Sequence, residues 1–567
     1  MNKLNPAVRP GPADLDNPLY YLENMETVVN WVATHHADLL LASERARLRE
    51  FSALSPPARA LLTRLVMRSG ELFRTDKLHY PELGCPEREP LTELQATDWL
   101  DATPQLTLDE LFRLFTLAEL RPTFAPLLVQ AGLAGNLPKA RLREAVQAFC
   151  CDPRPVNDWL DRTAAPVVRV NEMALFDRIR LMFFGNLRQS WSDFVLVELG
   201  HHRYEQVAFT ADARAFGQRG EVDSYLRMHR CREALDAGEP AARVWAAVPP
   251  PTDNPWLTSR RDRLLLELGR RAERQGDRDL ALQALAASGH REARLKQLRL
   301  LERMKRYDQA WAIAVRWHNE ALSDAEAQGL ARILKRLAAK LKQPPPPAPT
   351  PPDLHTFTLT LPPTAGSVEQ VVQAALWHPQ APVFYVENTL INSLFGLLCW
   401  NTIFQAIPGA FFHPFHSGPA DLLRDDFVSR RQARFDQCFA ELRNGRYRHT
   451  MLTTYATKQG LTNPFVSWPA LTEELLSLAL ACIPAADLEL LFQRLLLNIR
   501  EHRSGFPDLV RFFPTNPHPG PRYEMIEVKG PGDRLQDHQI RWLHFFARHN
   551  IAARVCYLRW QDSGDAP

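Results

Sequence analysis

From residue 14 to about 340 the apolar positions recur at three- and four-residue spacing, the mark of amphipathic helices laid end to end. DLDNPLYYLENMETVVNWVATHHADLL (14–40) carries such a stripe behind a start signal. SPPARALLTRLVMRSGELFRTDKLHY (55–80) follows, with Ser55 placed to cap a helix whose first turn holds two prolines. LTLDELFRLFTLAELRPTFAPLLVQAGLAGNLPKARLREAVQAF (106–149) reads as two helices flanking a Gly/Pro/Asn-rich break. Between 240 and 340 there is a faint repeat. AERQGDRDLALQAL from Ala272 aligns without gaps on LERMKRYDQAWAIA from Leu301, matching Asp279 with Asp308 and Ala281 with Ala310. Small alanines at matching places let paired helices pack closely, as in helical-repeat arrays; the 29-residue spacing falls short of the roughly 34 of a tetratricopeptide repeat, so the expectation is a few TPR-like helices with a scaffolding role.

The pattern changes after KQPPPPAPTPPDL (342–354), whose four consecutive prolines form a stiff, extended spacer. Beyond it helices and strands mix. The expected division is a helical region over 1–103, a second helical unit over 104–150, a linker with TPR-like helices over 151–341, the Pro-rich spacer 342–354, and an α/β domain over 355–567 with a helical insertion at about 400–500.

One strand in the last domain is chemically unusual. In YEMIEVK (523–529) Tyr523, Met525, Glu527 and Lys529 share a face, while Ile526 and Val528 point the other way. Apolar residues on both faces predict a strand covered on both sides, where a charge is expensive unless paired or metal-bound. Upstream, DLVRFFP from Asp508 reads as a second strand and TNPHPGPR (515–522) as the turn, so a hairpin brings Asp508 near Glu527. Two carboxylates suit Mg²⁺ or Mn²⁺, which prefer oxygen donors. A lysine beside them can orient or deprotonate a water and steady the charge that builds on a phosphate. After GPGDR a helix is expected whose face joins Leu535, Gln539, Trp542 and Phe546, and a glutamine in that stripe needs a partner inside. In YVENTLINSLFGLLCW Glu387 falls on the stripe of Leu390, Ile391, Leu394 and Leu398, a third acid expected on a buried face.

Composition narrows the class. The 567 residues suggest three to four domains, and 45% hydrophobic with 23% charged content is ordinary for a globular protein. A net charge of +3 excludes a generally polycationic protein, so a nucleic-acid footprint must come from local clusters. Arg64 and Arg68 are four apart, with Arg59, Arg74 and Lys77 nearby; Lys139, Arg141 and Arg143 open a later helix; Arg424, Arg430, Arg431 and Arg434 stand near the start of the insertion. These are candidate phosphate contacts. The eight cysteines form no C-x-x-C pair, which argues against a structural zinc site and suits a reducing compartment. His413 and His416 have ligand-like spacing but no further partner, and no P-loop or G-x-G-x-x-G implies a nucleotide cofactor. With no apolar signal core and no long apolar run, no membrane span is expected and a cytoplasmic, nucleoid-associated protein is.

GFPDLV followed by EVKGPGDRLQDHQIRWL resembles the PD-(D/E)XK nuclease signature in its VRR-NUC form. LFGLLCWNTIF and PADLLRDDFVSRR are similar to segments of the Fanconi-associated nuclease family, and residues 106–149 resemble a SAP DNA-binding module. The resemblance is strong over about 380–560 and looser before it. It implies a restriction-endonuclease-like α/β nuclease domain behind a mostly α-helical, DNA-binding N-terminal half. Asp508, Glu527 and Glu387 would be metal ligands with the Val528 carbonyl, Lys529 the catalytic lysine, and Gln539 a supporting residue, while Asp533 and Arg534 would shape the site or touch DNA. The implied activity is structure-specific cleavage of branched double-stranded DNA, preferably 5′ flaps, with associated exonuclease activity and a role in interstrand crosslink repair. About 120 residues separate Glu387 from Asp508, more than a minimal nuclease needs, and this insertion is expected to block a symmetric dimer and leave a monomer. A dimeric Holliday-junction resolvase and a non-catalytic repair scaffold are the alternatives.

Overall fold

The computed structural model describes residues 17–149, 152–160, 166–189, 191, 203–208, 214–320, 322–347, 350–515 and 520–561. The chain forms two compact units, one from residues up to 202 with 214–222, the other from 203–213 with 223 onward.

The first unit is mainly helical, as its periodicity requires. Ser55 caps the helix Pro56–Met67, accepting from the Ala58 N–H at 3.3 Å, with prolines in the first turn. The segment 106–149 contains three helices and not two: Leu108–Leu114, Leu117–Gln130 and Lys139–Gln147. The first break falls at Phe115–Thr116, because Thr107 with Glu110 and Thr116 with Glu119 each form a capping box that starts a new helix. A three-stranded sheet that the helical reading did not foresee joins β1 (Leu72–Arg74), β2 (Leu100–Asp101) and β3 (Val167–Val170) in the antiparallel order β1-β3-β2. Strands of two to four residues are too short to show a period of two.

In the second unit the repeat appears as antiparallel helical neighbours, Pro255–Arg274, Arg278–Ala286, Arg291–Arg303, Tyr307–His318 and Asp324–Leu341. Ala281 and Ala310 are both fully buried. The equivalent positions Gly276 and Lys305 both take positive φ, closing the same turn twice. The Pro-rich spacer lies within this unit. Side chains join the repeat helices to the C-terminal α/β part: Arg291 to Glu501 at 2.7 Å, Asp324 to Arg494 at 2.8 Å, and Arg332 to Asp537 at 2.5 Å.

The C-terminal α/β part is built on five strands: β4 (Thr356–Leu361), β5 (Val383–Tyr385), β6 (Leu509–Phe512), β7 (Tyr523–Lys529) and β8 (Ala553–Trp560). Their order is β4-β8-β7-β6-β5, with β8 parallel to β4 and β7, and β6 antiparallel to β7 and β5. The expected hairpin forms, pairing Leu509 with Ile526 and Phe512 with Tyr523; residues 516–519 of its turn lie outside the described residues. The central strand β7 is covered on both faces. Ile526 and Val528 pack with Val372 of the helix Val368–Leu376, while Tyr523 and Met525 share a core with Trp542 and Phe546 of the helix Asp537–Arg548. The insertion runs between β5 and β6 as the helices Gln432–Asn444, Tyr447–Lys458, Glu473–Cys482 and Ala485–Leu497. Its Phe435, Leu488 and Phe492 belong to that same core, so it is an integral layer on the Glu527 face. Among the described residues no single helix is long and apolar enough to cross a membrane.

Candidate active site

Continuing the β6–β7 register by one position sets Asp508 opposite Glu527, on the same face. Both are buried, Glu527 at 0% and Asp508 at 6% exposure, and Lys529 is 8% exposed. Asp508 Oδ2 accepts from the Val528 N–H at 2.8 Å, which fixes its carboxylate against β7. Lys529 Nζ stands 2.7 Å from Glu527 Oε1. That contact places the ammonium within hydrogen-bond distance of Oε1, while Glu527 Oε2 has no hydrogen-bond partner among the described residues. Burial pushes Asp508 up to about 6 despite the Val528 N–H and Lys529, and burial together with the Asp508 charge pushes Glu527 up to about 8.

Glu387 is not buried. It lies exposed in the turn after β5, ahead of the helix Leu390–Leu398, so the stripe that seemed to include it begins three residues later. The Val386 N–H beside it donates to the Asp508 carbonyl at 2.8 Å, which places Glu387 at the same rim, and its charge raises both Asp508 and Glu527. Its oxygens accept from the Tyr385 hydroxyl at 2.5 Å and from Asn388 Nδ2 at 3.2 Å. Gln539 finds its partner in its own helix: Oε1 accepts from the Gln536 N–H at 2.8 Å in a capping box. Asp533 shapes the turn after Lys529, accepting from the Gly530 N–H at 3.0 Å. Tyr385, Asn388 and His538, the last under the influence of both Lys529 and Glu387, were missed by sequence reasoning. The signal for the first two was adjacency to Glu387 in YVEN.

The donor set fits a hard divalent cation. The candidate groups are carboxylate oxygens and the Val528 carbonyl, and a fully buried glutamate with one oxygen left without a hydrogen-bond partner is a position that a cation would satisfy. The side chains are not gathered into a cage: no three His, Cys, Asp or Glu among the described residues stand at ligand spacing.

The candidate phosphate contacts separate into two groups. Arg74 is buried between Asp76 (2.7 Å) and Glu119 (2.8 Å), and Arg431 is fully buried on Asp421 (2.8 Å) against the Phe427 ring. These two correct the expectation of a DNA grip, since their guanidinium charge is spent inside the protein. Arg64 forks onto Glu82 at 2.6 and 3.0 Å and stacks 3.8 Å from the Tyr21 ring. Arg59 pairs with Glu26, Arg424 with Asp426 and Arg430 with Asp421, while Lys139 donates to the Phe115 carbonyl at 2.7 Å. Arg68, Lys77, Arg141 and Arg534 are exposed; Arg68 reaches the Tyr80 hydroxyl and Arg141 reaches Glu144. His413 and His416 stack 4.1 Å apart and accept from the Phe415 and Phe412 N–H groups; burial lowers both pKa values and keeps them neutral.

The mixed sheet with Asp508 opposite Glu527-Val528-Lys529 defines a divalent-metal-dependent nuclease of the PD-(D/E)XK class. The VRR-NUC domain family matches residues 442–560, the FAN1 HTH domain family residues 19–101, and the Fanconi anemia-associated nuclease SAP domain family residues 105–159. The chain belongs to the Fanconi-associated nuclease family. It is 47% identical over 549 residues to the Fanconi-associated nuclease 1 homolog of Pseudomonas aeruginosa, covering 96% of this chain and 97% of that one. Human Fanconi-associated nuclease 1 is 24% identical over 658 residues, covering 97% of this chain and 63% of the human one. A crystal structure of paFAN1 bound to 5′ flap DNA with a 2-nucleotide flap and a gap superposes with a TM-score of 0.90 at 47% identity, covering 97% of this chain and all of that one.

Proposed function

We propose that this nuclease cuts branched double-stranded DNA at 5′ flaps, with associated exonuclease activity, in the repair of interstrand crosslinks. The observation that carries the reading is the buried Asp508–Glu527 pair with Lys529 beside it, and the flap complexes of paFAN1 support the substrate.

Asp508, Glu527 and Glu387, with the Val528 carbonyl, would hold Mg²⁺ or Mn²⁺. The cation supplies a Lewis acid for the scissile phosphate and lowers the pKa of the attacking water. The chain supplies the rest. β7 presents Glu527 and Lys529 on one face, and the Val528 N–H keeps the Asp508 carboxylate turned toward them. The Lys529 ammonium orients the water and steadies charge on the phosphate, and in-line attack leaves a 5′-phosphate and a 3′-hydroxyl. Asp533 and Gln539 hold the turn and the helix start that follow Lys529. Arg68, Lys77, Arg141 and Arg534 are exposed and suited to backbone phosphates, which gives selectivity for shape over sequence.

The insertion shares a core with β6, β7 and the helix Asp537–Arg548, and a monomer is the form that this integral layer favours. The test of substrate class is a matched panel at fixed salt: 5′ flap, 3′ flap, single strand and four-way junction. Preference for the 5′ flap supports the reading. Paired symmetric cuts across the four-way junction would move the protein to the resolvases.

A further inference from the structure

Glu387 and Asp508 lie about 120 residues apart in sequence, on either side of the whole insertion, yet the β5–β6 pairing and the Val386 N–H, which donates to the Asp508 carbonyl at 2.8 Å, bring their segments together. We propose that Asn388 is a positioning residue for the cleavage reaction, locking the Glu387 carboxylate to the backbone that presents Asp508 before cation or DNA arrives. The inference rests on the proposed roles of those two acids.

Each polar atom of the Asn388 side chain is used. Nδ2 donates to Glu387 Oε1 at 3.2 Å, and Oδ1 accepts from the N–H groups of Gly505 at 2.7 Å and Phe506 at 3.2 Å. Gly505 and Phe506 lead through Pro507 directly into Asp508. The Asn388 backbone adds a second stitch. Its carbonyl accepts from Asn392 Nδ2 at 2.7 Å, and the same Nδ2 donates to the Arg503 carbonyl at 2.8 Å. Tyr385 completes the clamp through its 2.5 Å hydrogen bond to the second Glu387 oxygen.

The backbone is arranged for this. Asn388 has φ +52°, a left-handed conformation that asparagine tolerates better than most residues. Gly505 has φ +94°, and a Cβ there would meet the backbone of His538 at 2.9 Å. The segment carrying Asp508 is thus pressed against the start of the helix Asp537–Arg548 on one side and tied to Asn388 on the other. Phe506, its ring centroid 4.0 Å from that of Trp542, holds it there.

An exposed glutamate samples several rotamers, and fixing it in advance removes that ordering cost from the step that needs it. Asn388 does not reach the reacting atoms; it acts through Glu387 and Asp508.

The test uses the full chain with Asn388→Gly, which keeps the backbone conformation and deletes the clamp, and Tyr385→Phe, which deletes one hydroxyl. Glu387→Gln and Asp508→Asn run beside them. Mn²⁺ binding without DNA is read by titration calorimetry, and flap cleavage is separated into kcat and KM. For Asn388→Gly the expected result is about tenfold weaker Mn²⁺ binding and about tenfold lower kcat, with KM for the flap within about twofold. Tyr385→Phe should show about a threefold loss in the same direction. Wild-type Mn²⁺ binding and kcat in Asn388→Gly, beside loss of both in Glu387→Gln and Asp508→Asn, would overturn the clamp and leave the site intact. Unchanged behaviour of Glu387→Gln and Asp508→Asn would overturn the site itself. If Asn388→Gly does not fold, Tyr385→Phe decides: an unchanged Mn²⁺ titration counts against the clamp.

Discussion

Lys529 Nζ lies 2.7 Å from Glu527 Oε1, on the middle strand of a sheet covered on both faces. Glu527 has no exposed surface, and its Oε2 has no hydrogen-bond partner among the described residues. Removing the lysine takes away the cation that favours the ionised forms of Glu527 and Asp508, the forms a metal requires. Lys529→Met should abolish cleavage while the protein still binds flap DNA within about threefold, because the duplex is gripped elsewhere. A binding titration run beside a cleavage assay checks this; retained cleavage would exclude Lys529 from the chemistry.

The raised acids make metal-free stability depend on pH. An acid whose pKa is higher in the folded state holds its proton more tightly when folded. Its site therefore contributes most to stability near the unfolded value of about 4 and loses that contribution as pH rises. The window here runs from there through about 6 for Asp508 and about 8 for Glu527. Glu527→Gln should raise the metal-free melting temperature at pH 8 by about 2–4 °C and change it little at pH 5. Equal shifts at both pH values would show that Glu527 is not the titrating group.

Cation binding should release protons for the same reason. Below about pH 8, where Glu527 is protonated in the metal-free protein, apparent Mn²⁺ affinity should fall about tenfold per pH unit for each proton displaced. Calorimetry in two buffers of different ionisation enthalpy counts those protons directly. No proton release at pH 7 would contradict the placement of the cation at Glu527.

Much of this site was readable from sequence because a strand advertises its faces. The alternation of Tyr523, Met525, Glu527 and Lys529 against Ile526 and Val528 gave the burial and the orientation, and the turn residues after DLVRFFP gave the hairpin that brings Asp508 across. Glu387 was harder. A helical stripe extrapolated backwards does not show where the helix starts, and Thr389 rather than Glu387 is the N-cap. The arginines were least legible. Arg74 and Arg431 look like any other cation in sequence, and only the fold reveals that Asp76, Glu119 and Asp421 neutralise them.

That distinction separates stability from DNA binding. Arg431→Ala leaves the buried Asp421 without its bidentate partner and with Arg430 as its remaining ion pair, and should cost about 3 kcal/mol of folding stability. Arg68→Ala and Lys77→Ala should each stay within about 0.5 kcal/mol of wild type, weaken DNA binding regardless of sequence, and lower the salt slope by about one. Denaturant unfolding and salt-dependent binding measure the two effects. A stable Arg431→Ala protein would contradict the assignment.

The insertion's place in the core bears on assembly. Sedimentation of the full chain at micromolar concentration should show a monomer, with and without flap DNA. A tight symmetric dimer would favour the resolvase alternative.

The most direct measurement is cleavage of a 5′-labelled flap duplex at fixed salt with Mn²⁺, comparing wild type with Asp508→Ala and Lys529→Ala. The account predicts cutting near the flap by the wild type, loss of cutting in chelator and in both variants, and retained DNA binding throughout. Undiminished cutting by Asp508→Ala, or by the wild type in chelator, would contradict it.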